Sequence, residues 1–367
     1  MTMTLLTGLM LLAAASLALW IALAAFAVGR KLRRDRREQR SAERRSRYAA
    51  TLRDGDRAAL VEIHREARSA EAQVDLAIAI DAARPSLPPA QRSELGHAAR
   101  ESGLLPVLVA ELGSRRPVVR ARGALVLTRT GLPEVVDQIA PLFADEDADV
   151  RLVACSGLAR IATDRSAEAL IWGLVTRALP PERIIERLAA PWAVPTMLMT
   201  LELGPSPTPP SLATVKPRGR AVPLEASLAR ALGLAEDPRG EAALIDLLRD
   251  GSEEVRVSAA RALGRVGGAA SVAPLIAALD SEIWPVRAQA AKSLGNLGAV
   301  AAIEPLERCL PDRAWWVRGN SARALRELGG PGIEALERAL DHPDRYARDR
   351  AREQLVLQRV VEEHAAA

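Results

Sequence analysis

Apolar and polar positions recur at a fixed period along the C-terminal half of the chain. The run Glu254-Val255-Arg256-Val257-Ser258-Ala259-Ala260-Arg261-Ala262-Leu263-Gly264 is echoed by Pro285-Val286-Arg287-Ala288-Gln289-Ala290-Ala291-Lys292-Ser293-Leu294-Gly295. It is echoed again by Trp316-Val317-Arg318-Gly319-Asn320-Ser321-Ala322-Arg323-Ala324-Leu325. Arg256, Arg287 and Arg318 are 31 residues apart, as are Ala260, Ala291 and Ala322, and Gly267, Gly298 and Gly329. Arg348 follows after 30, which fits a loop one residue shorter near Gly330. Within each unit Val, Ala and Leu fall at three- and four-residue spacing, the signature of a helix with one apolar face. A second apolar helix is predicted after each, over Val272 to Leu279 and Ile303 to Leu310. Asp145, Asp280 and Asp312 stand where a helix N-cap is wanted. Gly267, Gly298 and Gly329 stand where a left-handed residue ends a helix.

No such unit can bury its apolar face alone, so neighbours must stack. The predicted fold is therefore all-α: an α-solenoid of helical hairpins. Weaker copies lie upstream in the same phase, at Arg230-Ala231-Leu232-Gly233, Val119-Arg120 and Val150-Arg151. The organisation read from this is N-terminal helices and a divergent first repeat over 48–113, repeats over 114–179 and 224–340, and a capping helix with a polar outer face over 341–367. Between them, 180–223 loses the phase. Pro180, Pro181, Pro191 and Pro195 are expected to interrupt helices there. Gly204-Pro205-Ser206-Pro207-Thr208-Pro209-Pro210 reads as an extended loop.

The first 29 residues follow different rules. Leu5 to Val28 is a run of 24 uncharged, mostly apolar residues. As a helix it is about 36 Å long, enough for a hydrocarbon core of about 30 Å. Arg30 to Arg47 then carries ten Lys/Arg against three Asp/Glu, and no basic residue precedes the span. This asymmetry predicts a single transmembrane helix with its N-terminus outside, a basic juxtamembrane segment on anionic lipid headgroups, and the solenoid in the cytoplasm at the plasma membrane. The alternative is a cleaved signal peptide, with Ala22-Leu23-Ala24 as the cleavage motif, which would make the chain an extracytoplasmic binding protein.

Charge then limits the partners. The +4 of the whole chain, less the +7 of 30–47, leaves −3 for the remaining 320 residues. A slightly acidic body offers no basic face for phosphates, so nucleic acid is not an expected partner. Aromatics are only 3%. That scarcity draws attention to Trp284 and Trp315, which share one repeat position, to the adjacent Trp316, and to Tyr346 near that position in the last unit. Aromatics are favoured interface anchors. Trp192, Met197 and Met199, in the apolar run before the proline-rich loop, are the second candidate patch. Cys155 and Cys309 sit among apolar helical neighbours and read as buried thiols.

The pattern Val-Arg-x-x-Ala-Ala-x-x-Leu-Gly resembles the HEAT-repeat family, in the short form of phycobilisome-lyase-like proteins. The resemblance is densest over Arg230 to Arg350. It implies stacked hairpins, an arginine ladder bonded to Asp or carbonyl groups of adjacent loops, and a protein-binding role. The Arg/Ala-rich composition and compact repeat point to a bacterial source. One HEAT group, resembling deoxyhypusine hydroxylase, binds iron through His-Glu pairs. Here His64, His97, His342 and His364 are followed by Arg65, Ala98, Pro343 and Ala365, so that set is missing. No phosphate loop, serine elbow or Cys/His pair is present. The expected function is a membrane-anchored scaffold, not an enzyme, with no cofactor and no metal. The competing class is a lyase-like enzyme or enzyme subunit.

Overall fold

The computed structural model describes residues 26, 30–54, 56–207 and 221–366. Among these every regular element is helical and no strand occurs. The expected span over Leu5 to Val28 lies almost wholly outside them. No helix among the described residues is long and apolar enough to cross a membrane.

The described residues form two compact units, one ending at Gly131 and one beginning at Leu132. In the first, α1 (30–54) is followed by α2 (Arg57–Glu66), α3 (Ala70–Ala83), α4 (Pro89–Glu101), α5 (Leu104–Leu112) and α6 (Pro117–Arg129). Residues 30–40 of α1 are exposed, as a run of basic side chains requires. From Ser41 onward α1 is packed: Tyr48 and Leu52 are buried, and Ser41 and Arg44 both donate to Asp75 of α3.

The second unit is two layers of helices. After the short α7 (Val136–Ile139) come the pairs α8 (Ala148–Ile161) and α9 (Asp164–Val175), α10 (Pro181–Leu188) and α11 (Val194–Leu203), α12 (Leu224–Ala235) and α13 (Glu241–Leu247), and α14 (Glu253–Val266) and α15 (Ala269–Ala278). Two more pairs follow, α16 (Trp284–Asn296) with α17 (Ile303–Arg308) and α18 (Trp315–Glu327) with α19 (Gly330–Arg338), and α20 (Arg345–Ala366) closes the series. First helices touch first helices from α8 through α20, and each second helix from α11 to α19 packs on the first helix of the pair that follows it. This is an α-solenoid of hairpins. Its layer of first helices is drawn close by small residues: a Cβ added to Gly233 would lie 2.7 Å from Ala262 Cβ, one on Gly264 2.5 Å from Ser293 Oγ, and one on Gly295 2.9 Å from Ala324 Cα. The same register position is Arg326 in α18, where the series of close contacts ends.

Four expectations are corrected. The stretch 181–203 is not irregular but a full helical pair. Pro181 and Pro195 sit in the first turns of α10 and α11, where a missing N–H costs nothing. Gly298 and Gly329 are left-handed at φ 63° and 74°, but Gly267 is extended at φ −65°. Gly267 answers to space instead, because a Cβ would lie 2.5 Å from the Leu263 carbonyl. Asp145 and Asp312 do not cap helices; the N-caps are Asp147 and Ala314. Asp280 caps nothing either, since α16 begins after Ile283. Finally, α20 is not polar all round: Val356, Leu357 and Val360 are exposed.

Candidate functional site

One short turn recurs in front of the first helices, six residues before the ladder arginine. Ser114, Asp145, Asp250, Ser281, Asp312 and His342 occupy that position, and each side chain accepts from the N–H two residues on, at 2.7 to 3.3 Å. A short polar side chain does this because it folds back on its own backbone. Asp145 and Asp312, expected as N-caps, instead make the turn that precedes the helix, while Ser281 takes that place beside Asp280.

The arginine then ties the turn down from above. Nη1 of Arg120, Arg151, Arg287, Arg318 and Arg348 donates to the carbonyl of residue 114, 145, 281, 312 and 342 respectively, at 2.7 to 2.8 Å. For Arg151, Arg287, Arg318 and Arg348 the next carbonyl is taken as well. The far side of the guanidinium reaches the following repeat. Arg151 Nε donates to Ala178 O, Arg287 forks onto Asp312 at 2.8 and 3.0 Å, and Arg318 lies 4.6 Å from the Tyr346 ring centroid. Burial pushes the Asp312 carboxyl up, but hydrogen bonds from Arg287 and the Ala314 N–H outweigh it and hold it below its ordinary range.

These rungs set the positions of the aromatic residues. Trp284 opens α16 and Trp315 opens α18, three residues before Arg287 and Arg318. Trp284, Trp315 and Trp316 all border one open groove of about 820 Å³ between the two turns, which Arg287, Asp312, Arg308, Arg313 and Glu282 also line. Trp284 is 46% exposed, Trp315 48% and Trp316 57%. Large apolar groups left half in water need a local reason to hold still. Trp315 and Trp316 meet edge to face at 4.6 Å, and Arg350 lies 5.1 Å over Trp315. Tyr346, in the Trp316 position of the last repeat, is also exposed. Arg308 and Arg313 were not singled out from sequence. The 31-residue period gives no separate signal for loop residues that differ from repeat to repeat.

The second candidate patch is not one surface. Met197 is fully buried, Trp192 is half-buried in the turn before α11, and only Met199 is well exposed. Met197 belongs to the core: it is fully buried on α11, which packs on α9 and α12. Among the described residues no group of three or more His, Cys, Asp or Glu side chains could hold a metal. His64 is buried with Nδ1 2.7 Å from Leu60 O, and His342 makes the turn described above. Burial pushes the Cys155 thiol up to about 12 and the Cys309 thiol up to about 11.

A sequence model of the HEAT repeats matches residues 105–184, 222–286 and 272–356, more than half of the chain. The chain belongs to the HEAT-repeat family. Among solved structures its HEAT stack is similar to Kap121p, at 13% identity and a TM-score of 0.51, over 78% of this chain and 35% of that one. It spans about a third of Kap121p, and at this identity the likeness is one of fold. Human deoxyhypusine hydroxylase matches at 20% identity and a TM-score of 0.28, over 88% of this chain and 98% of its own. The CpcE–CpcF complex of phycocyanin lyase from Nostoc sp. PCC7120 matches at 18% identity and a TM-score of 0.27, over 68% and 86%. No curated protein is matched by the sequence.

Proposed function

We propose that this HEAT-repeat protein is a membrane-anchored scaffold that docks a protein partner in the groove between Trp284 and Trp316, and that it is not an enzyme. The observation that carries the reading is the convergence of three half-exposed tryptophans from two successive repeats on one open groove. Partly buried Trp with Arg at its edge is the composition of interface hot spots. The rungs beneath it are already hydrogen-bonded to the turns, which lowers the ordering cost of binding. The anchor reading is supported by the apolar run Leu5 to Val28 and the basic residues after it; by the positive-inside rule the HEAT stack is then cytoplasmic, with residues 30–40 facing anionic headgroups.

The test is crosslinking in intact membranes, comparing the native chain with Trp284→Ala/Trp315→Ala. A protein adduct that disappears in the double variant, with its thermal unfolding unchanged, is the expected result. An adduct pattern indifferent to both tryptophans would sink the assignment. For the orientation, external protease on spheroplasts should leave the C-terminus intact; digestion there would place the repeats outside.

A further inference from the structure

Five of the six arginine rungs are closed and one is open. Arg256 occupies the ladder position of α14, and Asp250 makes the usual turn, accepting from Ser252 N–H at 2.7 Å. Yet, among the described residues, Arg256 takes neither the Asp250 carbonyl nor the next one and has no ion-pair partner. Its Nε is shut off from solvent without an acceptor, as is that of Arg318, so the difference between the two rungs lies at the Nη groups. The residue aligned with Asp312 in the following turn is Ser281, too short to reach back as Asp312 does to Arg287. A guanidinium left this way forfeits several charge-assisted bonds that its five counterparts make.

The space beside it is a cleft of about 430 Å³, in the size range of a small-ligand site. Ile245, Leu248, Ile283 and Val286 give it an apolar wall, and Arg249 stands with Arg256 at its polar end. Asp280 and Glu282 also border it. With two cations and two carboxylates the cleft is neutral. It suits a single carboxylate presented to Arg256 with an apolar group beside it, and it turns a polyanion away. Asp280 and Glu282 are left as acceptors for N–H groups of the same ligand. A chain end supplies all three: a C-terminal carboxylate, the apolar side chain on the same Cα, and the backbone N–H groups that precede it. Glu282 borders both this cleft and the tryptophan groove, so the two lie side by side.

We infer that the open rung at Arg256 is a carboxylate-binding subsite that receives the C-terminus of a partner ending in Leu, Ile or Val, the remainder of that partner lying toward the tryptophan groove. The inference deepens the scaffold reading and rests on it. The terminal Nη groups of Arg256, which make no bond to the preceding turn, then donate to the ligand's carboxylate.

The test uses the full-length chain in detergent and a pool of fluorescein-labelled hexapeptides, randomised except for Leu, Ile or Val at the last position, as free acids or C-terminal amides. Fluorescence anisotropy should show the free acids binding about tenfold more tightly than the amides, in keeping with a charged hydrogen bond. Arg256→Gln should abolish that ratio; Arg256→Lys should recover part of it. Because Arg256 makes no bond within the fold, these variants should unfold at the native temperature. Trp315→Ala should weaken acids and amides alike and leave the ratio intact, which separates failure of this subsite from failure of the groove. Equal binding of acids and amides, or no binding of either, overturns the inference. So does full competition by free isovalerate at peptide concentrations, which would assign the cleft to a small acid.

Discussion

Arg287 and Arg256 hold the same register position and should respond unequally to removal. Arg287→Ala breaks two bonds to carbonyls and strands the largely buried Asp312, a loss expected at about 2–3 kcal/mol in chemical denaturation. Arg256→Ala removes no bond and should cost under about 1 kcal/mol. Asp312 adds a pH signature. Its folded-state pKa is depressed, so its contribution is complete above about pH 5 and is withdrawn as pH falls through the ordinary carboxyl range near 4 and below. Asp312→Asn should therefore flatten the acid limb of the stability profile and leave the limb above pH 6 parallel to the native one; an unchanged acid limb would contradict the rung geometry. The buried Cys155 thiol, raised to about 12, should resist maleimide at pH 7 until the chain is unfolded.

At the scale of the helix, the glycine series separates two uses of one residue. Gly264 is where α14 and α16 touch, and a branched side chain there must push Ser293 and its helix away. Gly264→Val should destabilise by about 1–3 kcal/mol, as overpacking does. Gly319 in α18 faces open space, so Gly319→Ala should stabilise by about 0.5–1 kcal/mol through helix propensity alone. Thermal melts that rank the two the other way would refute the packing argument. The period made the helices and the arginines legible from sequence, because those residues repeat a physical requirement. What stayed hidden were choices with two local solutions. Pro181 and Pro195 break a helix in its middle but begin one at its first turn, and only the neighbouring helices decide which. Asp145 and Asp312 can cap a helix or close a turn with the same oxygen. The tryptophan position was legible, whereas the open rung was not: Val255-Arg256 looks like the copies at Val119-Arg120, Val150-Arg151, Val286-Arg287 and Val317-Arg318, and its difference lies in a bond that is not made.

For the molecule as a whole, nearest-neighbour stacking decides how a local loss spreads. In the second unit each first helix leans on the next, and α20 is the last support of α18 and α19. It buries Ala347, Ala351 and Gln354, takes Arg326 onto Gln354 at 3.0 Å, and brings Tyr346 over Arg318. A chain ending at Asp344 leaves Leu325 and Leu336 on helices without that support. If the stack behaves as a sum of repeat and interface terms, the damage should stay local. Hydrogen exchange of the truncated chain should then show α18 and α19 opening while α12 and α14 keep native protection, because their contacts end at α16. Uniform loss of protection from α8 to α19 would mean that the unit folds all or none. In that case the groove at Trp315 and the cleft at Arg256 would be coupled through the whole stack rather than through the Glu282 they share.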